Sequence, residues 1–208
     1  MTRVAAFYDI HGNLPALEAV LIEVRQAGVE QIVIGGDVLP GMVATQARAT
    51  IDCLRALDIP AQYITGNGDR EVLAVRRGVD TGAVPEAFRD IMRQNAAQLT
   101  SDDDRWIEAW PATLQLQIAG IGPVLFCHAT PRNDTEIFNA DSPDDLVAPM
   151  FAGVDAPLVI CGHTHIQFDR TIGGTRIVNA GSVGMPFGEP GAFWLLLGPD
   201  VQLRRTVF

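Results

Sequence analysis

Short apolar runs alternate with amphipathic stretches through the first third of the chain. Val4-Ala5-Ala6-Phe7-Tyr8 reads as a buried strand running into Asp9-Ile10-His11-Gly12-Asn13. Leu14, Leu17, Val20, Leu21 and Val24 then recur at helical spacing, with Asn13 placed to cap and Gly28 to stop the helix. Ile32-Val33-Ile34 is a second strand ending at Gly35-Gly36-Asp37, and residues 45–58 read as a second helix. Tyr63-Ile64-Thr65 is a third strand, ending at the loop Gly66-Asn67-Gly68-Asp69-Arg70. This repetition predicts a parallel sheet with helices packed on it, whose active edge lies at the carboxyl ends of the strands.

The alternation breaks over residues 79–111, a segment expected to form a helical flap beside that edge. Pro85–Leu99 reads as a helix, and Ser101-Asp102-Asp103-Asp104 opens another through Trp110. The acidic run is expected to be a solvated helix N-terminus, and Trp106 and Trp110, four apart, a packing stripe. From Ala112 strands dominate, at 112–118, 123–127, 157–161, 166–172, 175–178, 192–197 and 201–206. The polar–apolar alternation of Thr113–Ile118 predicts an antiparallel strand with one polar face, and Ser142-Pro143-Asp144-Asp145 caps a short helix. With no linker, repeat or low-complexity stretch, residues 1–208 read as one α/β domain, two sheets face to face with helices outside.

Composition narrows the function. A 48% hydrophobic content suits a packed core, yet no apolar run approaches the roughly 18–20 residues of a membrane span, so no membrane partner is expected. The N-terminus enters a strand and meets a charge too early for a signal peptide, which makes the cytoplasm the expected location. Cys53, Cys127 and Cys161 cannot all pair, and Cys127 and Cys161 are expected as small core residues. A net charge of −10 argues against a long nucleic acid as partner. All 15 basic residues are arginine, which removes Walker-type and Schiff-base lysine chemistry.

The four histidines all follow predicted strands. Together with neighbouring acids and an amide they make an ordered series: Asp9-x-His11, Gly36-Asp37, Gly66-Asn67-x-Asp69, His128 and Gly162-His163-x-His165. Singly, Asp9 and Asp37 are equally well explained as caps, and Asn67 as a turn residue. Carboxylate, imidazole and amide oxygen suit Mn, Fe, Zn or Ni. Seven such ligands exceed the three or four of a single zinc site and fit two ions sharing a carboxylate.

This series resembles the motifs of the calcineurin-like metallophosphoesterases, which read Asp-x-His, Gly-Asp, Gly-Asn-His-Asp/Glu, His and Gly-His-x-His. The resemblance spans essentially the whole chain. It is best to the small single-domain bacterial and archaeal branch, whose Asn-Pro-Gly-Ser segment resembles Asn179-Ala180-Gly181-Ser182. It implies a four-layer α/β/β/α sandwich with two facing mixed β-sheets and a centre of two divalent transition-metal ions, Mn2+ first, with Fe, Zn or Ni as alternatives. Carried over position by position, Asp9, His11 and His165 hold one ion, Asn67, His128 and His163 the other, and Asp37 bridges them. The implied activity is phosphodiesterase or phosphatase hydrolysis of a phosphorylated small molecule (a phosphodiester, nucleotide or anhydride), with a metal-bridging hydroxide as nucleophile.

Asp37, Asn67, Asp69 and His128 fall at the implied reacting centre. Arg132, in His128-Ala129-Thr130-Pro131-Arg132, is the first candidate for a phosphate contact and Arg70 the second. One position departs from the family. Many relatives place a leaving-group-protonating histidine where this chain has Gly68, so Asp69 lacks its partner. Slow hydrolysis of esters with poor leaving groups is expected, with Gly68 at a positive φ and open space above the ions. The alternative reading is a non-catalytic metal-binding scaffold or interaction module of the same fold, since at least one relative serves as a trafficking scaffold. Degenerate ligands would mark it, and none of the seven is missing. The oligomeric state stays open between monomer and homodimer.

Overall fold

The structure, a computed structural model, describes residues 2–79 and 85–208. Strand β1 (Val4–Phe7) is apolar on both faces because both are covered: Ala5 and Phe7 join the core under the helices, while Val4 and Ala6 join the core between the sheets. Strand β2 (Gln31–Ile34) repeats the division, with Ile32 and Ile34 on the helix side and Val33 on the other. It pairs in parallel with β1 and with β3 (Ala61–Tyr63). Antiparallel β9 (Ala192–Leu197) and β10 (Val201–Thr206) complete a mixed sheet of order β10-β9-β1-β2-β3.

The second sheet is built from β4 (Thr113–Ile118), β5 (Gly122–Cys127), β6 (Leu158–Cys161), β7 (Phe168–Ile172) and β8 (Thr175–Asn179), in the order β4-β5-β6-β8-β7. Its inner face sets Val124, Phe126, Leu158, Ile160 and Val178 against the inner face of the first sheet. Each such fully buried aliphatic or aromatic side chain contributes about 1.5–3 kcal/mol, so this seam is a main source of the cohesion that fixes the sheets' edges together. Tyr8, buried in the seam, donates its hydroxyl to Ile160 O at 3.0 Å and ties one sheet to the other.

Helices α1 (Leu14–Gln26), α2 (Ala44–Arg55), α3 (Asn67–Arg76), α4 (Glu86–Gln98) and α5 (Ser101–Glu108) cover the first sheet, and α6 (Asp144–Val147) with a 3-10 turn at Ala148–Phe151 covers the second. The result is the four-layer α/β/β/α sandwich with two facing mixed sheets.

In three elements the described structure departs from the sequence reading. The third strand is Ala61–Tyr63 rather than 63–65, because pairing to β2 ends at Ile34↔Tyr63. Residues 67–70 are not a free loop but the first turn of α3: Asp69 sits at the third helical position and takes the Gly66 N–H at 3.1 Å. The acidic run is only partly solvated, since Thr100 caps α5 and Asp103 is buried between Arg48 and Arg55. Of the segment 79–111, residues 80–84 lie outside the described residues. Helices α4 and α5 pack into the first sheet's helical layer, burying Met92, Ala96 and Ile107. Trp106 and Trp110 pack with Tyr63, as a stripe.

Candidate metal centre

The loops leaving β1 and β2 are zipped together by backbone hydrogen bonds, Asp9 N to Gly36 O and His11 N to Asp37 O, so the two acidic motifs cannot drift apart. Gly35, Gly36 and Gly66 permit this closeness: a Cβ on Gly36 would stand 2.6 Å from Gly66 N, and one on Gly66 2.2 Å from Asp37 Oδ1. Among the described residues, five that are not glycine have a positive φ: Asp9 (54°), His11 (46°), Asp37 (51°), His163 (66°) and His165 (61°). Such backbone is costly for side chains bearing a Cβ and persists where the surroundings enforce it. All five belong to the predicted ligand set.

The fold brings six of the seven predicted ligands to one edge, in two groups whose ligand atoms lie within 4.8 Å of one another: Asp9, His11 and His165, and Asp37, His128 and His163. Three histidines are oriented from behind by the main chain. His11 Nδ1 donates to Pro40 O (3.1 Å), His128 Nδ1 to Gly35 O (2.9 Å) and His165 Nδ1 to Met185 O (2.6 Å). In its neutral form each then presents a bare Nε2 to the site, the tautomer a metal ligand needs. The Nε2 atoms of His11 and His165 face each other at 3.2 Å. Asp37 reaches His11 Nε2 with Oδ2 (3.8 Å) and His128 Nε2 with Oδ1 (3.4 Å), touching both groups.

Two features fit cations. Asp9 Oδ1 is buried without a hydrogen bond, although Nε2 of His165 (3.3 Å), His11 and His128 (3.9 Å each) point at it. One terminal atom of the Asn67 amide lies 3.0 Å from His163 Nδ1 and 3.2 Å from His128 Nε2. With nitrogen there, the amide donates to the imidazoles. With oxygen there, three lone pairs converge, an arrangement a cation relieves.

The electrostatics point the same way. Burial opposes ionisation of Asp37, but His128 and then His11 outweigh it and hold the carboxyl well below its usual range. Burial likewise opposes charge on His128, yet Asp37, Asp9 and the Gly35 carbonyl raise it to about 10. His165 is raised by Asp9 against its own burial, whereas burial lowers His11 and His163. The edge thus demands positive charge, which bound dications supply in place of protons.

The remaining predicted residues are placed differently. Asp69 is fully buried and accepts backbone N–H groups from Asp37 (2.8 Å), Leu39 (3.0 Å) and Gly66 (3.1 Å), while burial and then Asp37 push its carboxyl up to about 7. Gly68 is helical rather than at positive φ, and donates its N–H to Asp37 Oδ1 at 2.7 Å. The open space expected above it is filled, since a Cβ there would stand 2.4 Å from Leu39 O. A side chain at this position would require the main chain of the 37–41 loop to shift. Arg132 is exposed and pairs with Glu136, and Arg70 pairs with Asp134.

Three supporting residues escaped functional assignment from sequence. Asn179 donates to Gly162 O and Thr164 Oγ1, and Ser182 Oγ to Asp9 O, bracing both metal loops. Asn95, wholly buried in α4, takes Gly41 N (2.8 Å) and gives to Gly41 O (2.9 Å), fixing the loop whose Pro40 carbonyl orients His11. An amide on the same helical face as Met92 and Ala96 was the available signal for Asn95.

Comparison with known proteins agrees with this arrangement. The chain is 26% identical over 182 residues to an uncharacterised protein of Methanocaldococcus jannaschii, covering 88% of this chain and 70% of that one. A metallophosphoesterase from Sphaerobacter thermophilus superposes with a TM-score of 0.74 at 26% identity, over 100% of this chain and 89% of that one. A hypothetical protein from Pyrococcus horikoshii shares the fold with a TM-score of 0.84 at 19% identity, over 99% of this chain and 88% of that one. Residues 2–197 match the model of the calcineurin-like phosphoesterase superfamily domain, and the chain belongs to that family.

Proposed function

We propose that this protein is a hydrolase of phosphoester bonds, phosphodiesters and anhydrides ahead of alkyl monoesters, that works with two divalent ions, Mn2+ first. The observation that carries the reading is the convergence of seven carboxylate, imidazole and amide side chains with no arginine among them, one carboxylate oxygen, Asp9 Oδ1, being left unpaired. Asp9, His11 and His165 would hold one ion, Asn67, His128 and His163 the other, with Asp37 shared. When bound, such ions supply Lewis acidity to phosphoryl oxygens and lower the pKa of water so that a nucleophile exists near neutrality.

The chain's own residues have defined parts in this reading. Pro40, Gly35 and Met185 carbonyls hold the protons of three imidazoles away from the reacting side. Asp69 is a positioning residue: with three backbone N–H groups on its carboxylate it anchors Asp37 and the start of α3, and is not poised to protonate a leaving group. General acid catalysis is typically worth roughly 10²–10⁴-fold, so aryl diesters should outrun alkyl diesters by about that factor. The test is elemental analysis followed by turnover. Close to two ions per chain, activity abolished by a chelator and restored by Mn2+, and a steep leaving-group dependence are expected. At most one ion, with turnover indifferent to chelation, would sink the proposal.

A further inference from the structure

The two sides of the metal edge are unlike. Beside His128 lies a polar pocket of about 250 Å³ whose wall includes Thr130, Arg132, Asn133 and Asp134. Beside His165 lies a smaller one, about 170 Å³, lined by His165, Ile166, Gln167, Phe187, Glu189 and Phe193. Phe187 stacks on the His165 ring, centroids 4.9 Å apart and planes at 25°, yet remains 57% exposed. Ile166 next to it is 48% exposed. Two large apolar side chains are thus kept in water at a ligand of the metal site, a position where burial would stabilise them. The walls are fixed in advance: Gln167 Nε2 donates to the carbonyls of Ala180, Trp194 and Arg204, and Glu189 stands 3.7 Å from Arg205.

We infer that this pocket is a substrate subsite for one uncharged planar ring carried by the phosphoester, with Phe187 as the specificity-determining residue. The inference rests on the phosphoesterase reading, which would place a phosphoryl group at the neighbouring His165. Size supports a single ring, since a cavity of about 150 Å³ accepts benzene. Glu189 at the rim disfavours an arm carrying a further phosphate. The aromatic face selects a flat arm, because aromatic pairs gain beyond the area they bury.

The test uses the Mn2+-loaded full chain and two ligands that cannot be hydrolysed, phenylphosphonate and methylphosphonate, measured by calorimetry. The wild type should bind the phenyl ligand about tenfold more tightly. Phe187→Ala should erase that preference and Phe187→Tyr keep it, with two ions per chain in each. Equal affinities in the wild type, or a preference that survives Phe187→Ala, would overturn the subsite. Loss of metal in Phe187→Ala together with weaker binding of both ligands would also overturn it, assigning Phe187 to holding His165 instead. A preference that depends on Phe187 in a protein without turnover would leave the subsite standing and remove the phosphoesterase reading alone.

Discussion

The two ligand groups use the same chemistry but are held differently. In the first, both imidazoles are backed by carbonyls, and Asp9 Oδ2 accepts the backbone N–H of His163 at 2.9 Å. In the second, His128 and Asp37 are fixed from behind, but His163 is only partly buried and, among the described residues, no carbonyl backs its ring. Asn67 is an amide whose two orientations favour either a hydrogen bond to the imidazoles or a cation. The first group is preorganised by the main chain, whereas in the proposed two-ion centre the second would be completed by the ion it holds. Orientation by outer hydrogen bonds is commonly worth 10–100-fold in metal affinity.

The largest effect should come from removing what the groups share. Asp37→Asn takes the charge from the carboxylate that reaches histidines of both groups with separate oxygens, Oδ2 towards His11 and Oδ1 towards His128. Lewis-acid stabilisation is worth several kcal/mol, so aryl diester turnover should fall roughly 10³-fold. Bound metal should drop towards one ion per chain by elemental analysis. Full occupancy with near-normal turnover would deny Asp37 a bridging place.

A smaller effect sharpens the comparison directly. Under titration with a chelator the two ions should leave in separate steps, with affinities about 10–100-fold apart. His163→Ala should abolish the weaker step and leave the tighter one. Simultaneous release in the wild type would show that the carbonyl anchors do not distinguish the groups.

The smallest effect tests the anchor behind the first group. Asn95→Ala leaves Gly41 N–H and C=O without their buried partner, at about 1–3 kcal/mol for each group left unpaired. A melting point lower by roughly 4–24 °C follows for a domain of this size. The tighter metal step should weaken about tenfold while the weaker step holds. A melting point shifted with both metal steps intact would reduce Asn95 to a packing residue, with no influence on His11.

Much of the fold was legible because its signals are local. The apolar bursts at Val4–Tyr8 and Ile32–Ile34, and the helical spacing from Leu14 to Val24, each report burial by their own periodicity. The ligand types and their order were legible too, since a metal edge needs carboxylate and imidazole at strand ends and four histidines offered few ways to supply them. Sequence alone could not give what depends on a distant backbone. Gly66–Arg70 reads as a turn, and becomes a helix start only because Asp69 finds N–H groups from Asp37 and Leu39, about thirty positions away. That position 68 has no room for a Cβ is also invisible locally, because the atom in the way is the carbonyl of Leu39. The positive φ angles of Asp9, His11, Asp37, His163 and His165 likewise sit in loops held by hydrogen bonds to segments far away in the chain. Sequence determined which groups this edge carries, because composition and periodicity are properties of the chain itself. Tertiary structure decided which of them face one another and which are held from behind, because both follow from hydrogen bonds between segments that only folding brings together.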